Sequence, residues 1–261
     1  MGAPRYTPLV SFDVAADSYD RFMGRYSTLL SPKLADLAGI AAGQRVLDVG
    51  CGPGALTGEL VRRLGAAAVN AVDPSSPFVA AARERNPGVD VRQAAAEELP
   101  FADDSFDATL AQLVVHFMSD PVAGLKEMAR VTRPNGVIAA CVWDYSGDEG
   151  PLGPFWAAAR QLDHEVRDES GLAGARQGDL AGLFATAGLH SIEAAVLSVR
   201  VEHVSFDAWW EPFTLGVGPA GRYLAGLDEQ HSTQLRELNR SMLPPAPFAV
   251  TARAWAARGE V

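Results

Sequence analysis

The chain has 261 residues, of which 48% are hydrophobic and 21% charged, an ordinary globular composition that excludes wholesale disorder. Acidic residues outnumber basic ones by 32 to 22, and a net charge of −10 disfavours binding to nucleic acid or to an anionic membrane surface. Cys51 and Cys141 form no metal-ligand or disulfide pattern, and the N-terminus lacks a secretory signal. We therefore expect a soluble cytoplasmic protein without a metal site.

The first predicted element is an amphipathic helix over residues 15–30. Its apolar and aromatic side chains recur at helical spacing, and they are Tyr19, Phe22, Met23, Tyr26 and Leu30. Pro32 predicts an interruption, followed by a second short helix that ends at Ala38 before Gly39.

Strands and helices then alternate along the chain. The predicted strands are 45–49, 68–72, 89–93, 106–113 and 137–143, and the predicted helices are 55–64, 77–85 and 121–131. Residues 133–136 predict a type I turn before the last of these strands. Such alternation indicates a mainly parallel sheet with helices on both faces.

The C-terminal part begins with a loop over residues 144–154, which is rich in glycine, proline and acidic residues. Helices are predicted over 155–166 and 179–187, and a strand over 192–201. Residues 205–245 predict a helical stretch with several aromatic side chains near its start, and 248–255 a last strand.

A glycine-rich loop follows the first predicted strand. Gly50, Gly52 and Gly54 remove Cβ atoms that would keep a ligand away from the backbone, and the next helix presents unpaired N–H groups at its start. Asp73 ends the second strand, where a carboxylate can accept hydrogen bonds from both hydroxyls of a ribose. Together these features predict a nucleoside-binding crevice at the carboxyl edge of the sheet.

The same loop also satisfies the dinucleotide fingerprint GxGxxA, so an NAD-dependent oxidoreductase is an alternative. Three features disfavour it. Asp48 occupies a strand position that is usually apolar in such folds, no second glycine fingerprint occurs, and neither Lys33 nor Lys126 follows a tyrosine at Tyr-x-x-x-Lys spacing. Residues 97–107 add a further observation, because their sequence EELPFADDSFD leads directly into the fourth strand.

Three motifs in this order resemble the class I S-adenosylmethionine-dependent methyltransferases, and in particular their UbiE-like, type 11 group. They are DVGCGPG at residues 48–54, AVD at 71–73 and ELPFADDSFD at 98–107. The segment RVTRPNG at 130–136 resembles that group's turn before the fifth strand. The resemblance covers residues 15–145 well, and the rest of the chain only in its topology.

The resemblance implies a single α/β domain with a Rossmann-like seven-stranded sheet in the order 3-2-1-4-5-7-6, strand 7 being antiparallel. Residues 1–40 would form an N-terminal helical arm and 41–145 the cofactor-binding core. Residues 146–204 would complete the second half of the sheet. Residues 205–247 would form a helical cap between strands 6 and 7, and 248–261 would contain the last strand.

S-Adenosyl-L-methionine is the implied cofactor, with S-adenosyl-L-homocysteine as its product. By resemblance, Asp48, Gly50 and Gln112 lie at the methionine end, with Cys51 either part of this loop site or simply a small residue that fits. By the same resemblance, Gly52 and Gly54 lie under the ribose, and Asp73 binds its hydroxyls. Pro74 and Ser75 lie beside the adenine, and Ala96 and Glu97 lie at the adenine amine and ring edge. Ala95 stands where the family commonly has aspartate.

Two residues of the predicted arm complete the cofactor prediction. In the resembling group a similar arm folds over the cofactor, so Tyr19 and Arg25 are candidates for the methionine carboxylate. The alternative is that Tyr19 only packs and that Arg25 belongs to a solvated face.

Methyl transfer from a sulfonium needs mainly proximity and alignment, and a general base only when the acceptor must lose a proton. His116, which follows the fourth strand, is the candidate base, and the alternative is a structural histidine beside the site. Trp209, Trp210 and Phe213 are candidates either for an apolar lid or for a buried helix face. We expect a small acceptor, apolar or aromatic, and a monomer or homodimer; a non-catalytic cofactor-binding module is the second alternative.

Overall fold

The structure is a computed structural model that describes residues 16–261. Its strands are β1 Val46–Val49, β2 Val69–Asp73, β3 Asp90–Gln93, β4 Phe106–Gln112, β5 Thr132–Trp143, β6 His190–His203 and β7 Phe248–Glu260. Its α-helices are α1 Ala16–Tyr19, α2 Arg25–Leu37, α3 Ala55–Leu64, α4 Ser76–Arg85, α5 Pro121–Val131, α6 Gly153–Leu162, α7 Asp179–Ala187, α8 Phe206–Trp210, α9 Gly218–Gly226 and α10 Glu229–Met242. Residues 1–15 of the predicted arm lie outside the described residues.

The strands form one seven-stranded sheet in the order β3-β2-β1-β4-β5-β7-β6. The five strands from β3 to β5 pair in parallel, whereas β7 is antiparallel to both of its neighbours. The predicted strand order and the antiparallel seventh strand are thus confirmed. The reversal of strand order between β1 and β4 opens a crevice at their carboxyl ends, where ligands bind in folds of this kind.

Helices cover both faces of the sheet, as the alternation along β5 illustrates. Ile138, Ala140 and Val142 pack into one apolar cluster with α5 and α7. Ala139, Cys141 and Trp143 pack into the other, with α2, α3 and residues of the helical cap. A central strand that is buried on both faces needs a continuous apolar run, and this requirement explains the sequence VIAACVW.

The predicted interruption at Pro32 is wrong, because α2 continues through it. Proline removes the N–H that would bond to the carbonyl of Thr28, but Thr28 is exposed, so water can bond to that carbonyl. Leu30 and Leu34 are completely buried on either side of the proline. Their packing holds the helix together where local propensity alone predicts a break. Before α2, residues Asp20–Gly24 form a π-helical turn that continues from α1.

The predicted turn at 133–136 is also wrong, because these residues begin β5. The N–H of Asn135 donates to the carbonyl of Val261, and the N–H of Val261 donates to the carbonyl of Gly136, each at 3.1 Å. The end of β7 thereby extends the sheet beyond the predicted strand. β6 and β7 are likewise longer than predicted, since they pair with each other over almost their whole lengths.

The helical cap between β6 and β7 has an aromatic interior. The rings of Phe155 and Phe213 stack with centroids 4.6 Å apart, and Trp209 lies 4.9 Å from Phe213. Trp209, Trp210 and Phe213 are all buried. Of the two alternatives, they therefore form a buried helix face and not an apolar lid. Within residues 16–261, no helix has the length and apolar character needed to cross a bilayer.

Candidate active site

A cavity of about 510 Å³, here called the main cavity, lies at the carboxyl ends of β1, β2 and β4. Nine of the thirteen predicted cofactor residues line it: Tyr19, Gly50, Gly52, Asp73, Pro74, Ser75, Ala96, Glu97 and Gln112. They come from the arm, the glycine loop, the end of β2, the loop after β3 and the end of β4. The topology therefore gathers residues that are almost a hundred positions apart into one site.

Asp73 is fixed at the centre of this cavity by two backbone groups. The N–H of Gly52 donates to Oδ2 and that of Ser75 donates to Oδ1, both at 2.8 Å. Burial raises the pKa of Asp73 to about 6, and the two hydrogen bonds oppose that shift. Each carboxylate oxygen keeps a further lone pair, so Asp73 can accept two more hydrogen bonds from a ligand.

A smaller space of about 30 Å³, here called the loop pocket, adjoins the main cavity and is lined by Asp48, Cys51 and Gln112 among others. Thr57 donates to Oδ2 of Asp48 at 2.7 Å, but Oδ1 of Asp48 has no partner among the described residues. Oε1 of Gln112 is also unpartnered, while its amide donates to the carbonyl of Ser27 and the hydroxyl of Ser31. Two buried acceptors without donors fit a ligand's ammonium group.

The three glycines of the loop have different roles, although all have positive φ. A Cβ atom at Gly50 would overlap the side chain of Val114, and one at Gly54 would press on Asn86. Only at Gly52 would a Cβ stand in open space at the edge of the main cavity. The absence of a side chain therefore serves packing at Gly50 and Gly54, and ligand access at Gly52.

The part of the cavity expected to hold the adenine has a mixed lining. Ala95 and Ala96 contribute methyl groups, and Phe78 contributes an aromatic wall. Oε1 of Glu97 accepts from the backbone N–H of Asp120 at 3.1 Å, so this carboxylate is partly used in holding the start of α5. No carboxylate stands at position 95, where the resemblance would place one.

Two predicted cofactor residues lie elsewhere. Arg25 donates to the carbonyls of Arg21 and Ala208, at 2.9 and 3.2 Å, and its Nη1 lies 3.3 Å from Nδ1 of His203. Arg25 and Gly54 line a separate open groove beside α3. The structure therefore does not bring Arg25 to the main cavity, and its contacts join the arm to β6 and the cap.

Tyr19 lies where the arm crosses the site. It lines the main cavity, the loop pocket and a third space beneath the cap. Its ring packs edge-on against Phe78 at 5.3 Å, and burial raises the pKa of its hydroxyl to about 12. The hydroxyl is therefore protonated at neutral pH.

The third space, here called the inner chamber, measures about 30 Å³ and shares Tyr19, Leu113 and Phe117 with the main cavity. His116 lines it from a short 3-10 turn after β4. Burial lowers the pKa of His116 to about 3, so the imidazole is neutral, and neither ring nitrogen has a partner among the described residues.

Several lining residues were not anticipated from the sequence. Leu113 has a φ of +61°, a strained conformation for a branched side chain, at the point where β4 enters both cavities. Phe117, Met118 and Ser119 extend the main cavity after His116. Glu169, in a glycine-rich connection with no motif, is buried in the wall of the inner chamber. Its burial depends on how distant elements pack, and no local pattern signals it.

Comparison with known proteins decides the family. Residues 47–140 match the family model Methyltransf_11, described as a methyltransferase domain. A probable S-adenosylmethionine-dependent methyltransferase of Mycolicibacterium smegmatis is 32% identical over 187 residues, which cover 67% of this chain and 70% of that relative. This chain belongs to the S-adenosylmethionine-dependent methyltransferases.

Two further comparisons agree with this family. The ubiquinone/menaquinone biosynthesis C-methyltransferase UbiE of Bdellovibrio bacteriovorus is 36% identical to this methyltransferase over 136 residues, 49% of this chain and 57% of that protein. The chain thus spans little more than half the length of that relative. The crystal structure of a possible histamine N-methyltransferase from Thermotoga maritima has the same fold, with a TM-score of 0.57 at 20% identity over 94% of this chain and 95% of that chain.

The methyltransferase uses S-adenosylmethionine as its cofactor, and the residues present fit this molecule. The unpartnered oxygens of Asp48 and Gln112 suit its ammonium group, and the free lone pairs of Asp73 suit its ribose hydroxyls. The open position at Gly52 allows a ligand to approach the backbone. The main cavity and the adjoining loop pocket together therefore have the polar groups and the space that the cofactor requires.

Proposed function

We propose that this methyltransferase acts on a small-molecule acceptor that binds beneath the helical cap. The observation that carries the proposal is the shared wall of Tyr19, Leu113 and Phe117 between the main cavity and the inner chamber. Aromatic and aliphatic side chains form most of the chamber wall, and no Lys or Arg among residues 16–261 lines it. Such a space suits a compact apolar group and not the backbone of a nucleic acid.

The name of the Bdellovibrio relative supports an organic acceptor of modest size, since that protein is called a C-methyltransferase of ubiquinone and menaquinone biosynthesis. The distribution of charge gives independent support. The chain carries a net charge of −10, and a nucleic-acid substrate would need a basic surface instead.

We assign the cofactor contacts as follows. Asp73 accepts from the two ribose hydroxyls, while Asp48 and Gln112 accept from the ammonium group. Phe78 and Pro74 border the adenine, together with the backbone around Ala96. A carboxylate that accepts charge-assisted or paired hydrogen bonds contributes both affinity and orientation.

Catalysis on this proposal rests on position and on the exclusion of water. S-Adenosylmethionine would supply a methyl group from its sulfonium sulfur, and this sulfur becomes a neutral thioether when the methyl group is transferred. Tyr19 and Leu113 enclose the place where the two ligand spaces meet, so they keep water out and restrict the angle of approach. His116 is too weak a base at a pKa of about 3 to take a proton efficiently near neutral pH, which favours a hydrogen-bonding role.

The proposal is tested by supplying methyl-labelled S-adenosylmethionine together with a cell extract separated into small-molecule, RNA and protein fractions. We expect label in the small-molecule fraction with wild type and a loss of most of it with Asp73→Ala. Label confined to RNA or protein would refute a small acceptor. Cofactor binding by calorimetry without any labelled product would instead support a non-catalytic binding module.

A further inference from the structure

The inner chamber contains more unsatisfied polar atoms than its apolar lining leads one to expect. Both ring nitrogens of His116 and Oε2 of Glu169 are buried without a hydrogen-bond partner among the described residues. A buried polar atom without a partner destabilises the folded chain relative to one that is hydrogen-bonded. Since native proteins bury few unpartnered polar atoms, two such side chains facing one small space indicate a ligand that bonds to them.

The two side chains reach the chamber from different parts of the chain. His116 follows β4, whereas Glu169 belongs to the connection between α6 and α7. Both are more than nine-tenths buried. Trp143, Tyr145 and Leu152 supply apolar walls around them. The arrangement is therefore a polar end enclosed by aromatic and aliphatic surface.

The charge state of the chamber favours an uncharged ligand. Burial lowers the pKa of His116 to about 3 and raises that of Glu169 to about 8, so both groups are mainly neutral at pH 7. Burial is the largest effect on Glu169; from outside the lining, Trp156 and Arg222 lower its pKa and Asp168 raises it. A buried anion in the chamber would find no counter-charge on its walls and would be strongly disfavoured.

The size of the chamber limits what enters it. A space of about 30 Å³ corresponds to roughly two water molecules. It therefore holds one functional group, while the body of the ligand lies towards the wall shared with the main cavity. A hydroxyl group matches both polar side chains, because it donates one hydrogen bond and accepts others.

We propose that the inner chamber receives the hydroxyl of an uncharged methyl acceptor with an aromatic or other apolar body, and that Glu169 and His116 bind this hydroxyl. This inference rests on the proposed function, and it adds the chemical class of the acceptor and a binding residue, Glu169. The protonated carboxyl of Glu169 can donate a hydrogen bond to this hydroxyl or accept one from it, and so can the neutral imidazole of His116.

The test measures binding of three matched probes to the protein saturated with S-adenosylhomocysteine, by calorimetry and by tryptophan fluorescence, to which Trp143 in the chamber wall contributes. The probes are 4-methylphenol, 1,4-dimethylbenzene, which lacks the hydroxyl, and 4-methylbenzoate, which is charged. We expect wild type to bind 4-methylphenol about tenfold more tightly than either of the others, because only the phenol pairs the buried groups.

Variants assign the effect to Glu169. Glu169→Leu should remove most of the preference for the phenol, whereas Glu169→Gln should keep it, since the amide is neutral and can both donate and accept. Exposed Glu193 provides the matched control, and Glu193→Gln should leave the affinity for each of the three probes unchanged. Glu169→Leu should also raise the melting temperature of the free protein, because it removes an unpartnered buried group.

Equal affinity for the phenol in wild type and Glu169→Leu, or tighter binding of the benzoate, would overturn the inference. So would saturation with S-adenosylhomocysteine followed by no binding of any probe. A failure to bind S-adenosylhomocysteine itself would count against the proposed cofactor contacts instead. Failure of the proposed hydroxyl site is therefore distinguishable from failure of the proposed cofactor contacts.

Discussion

The carboxylate of Asp73 at the end of β2 accepts the backbone N–H of Gly52 at 2.8 Å, 21 residues earlier in the chain. This bond ties the glycine loop to the group proposed to bind the ribose. Asp73→Ala should weaken binding of S-adenosylhomocysteine by about 1–3 kcal/mol, measured by calorimetry, because charge-assisted hydrogen bonds are lost. Glu98→Ala removes an exposed carboxylate beside the cavity and should leave the affinity unchanged. Equal affinity in both variants would contradict this role of Asp73.

The loop glycines allow access and packing to be separated by experiment. Gly52→Ala should lower cofactor affinity at least tenfold while costing only about 1–2 kcal/mol of stability, the price of a positive φ for alanine. Gly39→Ala is its control, since Gly39 has a similar φ and open surroundings but lies at the end of α2. Calorimetry and denaturant unfolding provide the two readouts. A parallel loss of affinity in Gly39→Ala would refute the explanation.

Gly50→Ala should behave differently from Gly52→Ala. Its Cβ atom would overlap Val114, so we expect a loss of several kcal/mol in the free energy of unfolding. Val114→Ala in the same chain should recover part of that loss by making room for the new methyl group. No recovery in the double variant would show that the strain lies in the backbone alone.

The aromatic cluster of the cap is predicted to stabilise the fold and not to select the acceptor. Phe213→Ala should cost about 3–5 kcal/mol of stability, since its buried ring stacks on Phe155 and lies close to Trp209. Affinity for S-adenosylhomocysteine should stay within about threefold of wild type under conditions where the variant is folded. An unchanged unfolding midpoint would mean that the ring is not part of the core.

The buried carboxyl of Glu169 should make stability depend on pH. Its pKa of about 8 lies above the ordinary value, so the folded chain keeps a proton that the unfolded chain releases. Stability should therefore fall as pH rises from 6.5 to 8. His116 and His203 lose their protons in the unfolded chain near the start of this range, but they contribute equally to wild type and to Glu169→Gln. Wild type should lose on the order of 1 kcal/mol more than Glu169→Gln over this range, measured by urea unfolding. Asp48, with a pKa of about 7, contributes equally to both proteins.

Much of the fold could be predicted because local patterns and packing agree there. Helices at 55–64, 121–131 and 179–187 have the predicted bounds, since capping or glycine signals mark their ends. Pro32 shows the opposite case, where burial of Leu30 and Leu34 outweighs a strong local signal. The turn expected at 133–136 failed because its backbone bonds to Val261, which no local pattern reveals.

Nine of the residues that line the main cavity could be predicted from the sequence, whereas Glu169 in the inner chamber could not. The glycine loop and Asp73 carry their chemistry in a contiguous motif and a fixed spacing. Glu169 becomes notable only through burial beside His116, which follows from the packing of α6 and the cap against the sheet. Arg25 matched a motif, yet the fold turns it towards His203 and Ala208.

Tyr19 forms part of the wall of the main cavity, the loop pocket and the inner chamber. One side chain thus borders the spaces proposed for both reactants, and any shift of its ring that suits one ligand would alter the room left for the other. Such a shared wall links the two binding equilibria, and thermodynamics makes the linkage reciprocal. The factor by which the cofactor changes acceptor affinity equals the factor by which the acceptor changes cofactor affinity, so on the proposed function Tyr19 would contribute to cooperativity between the two ligands.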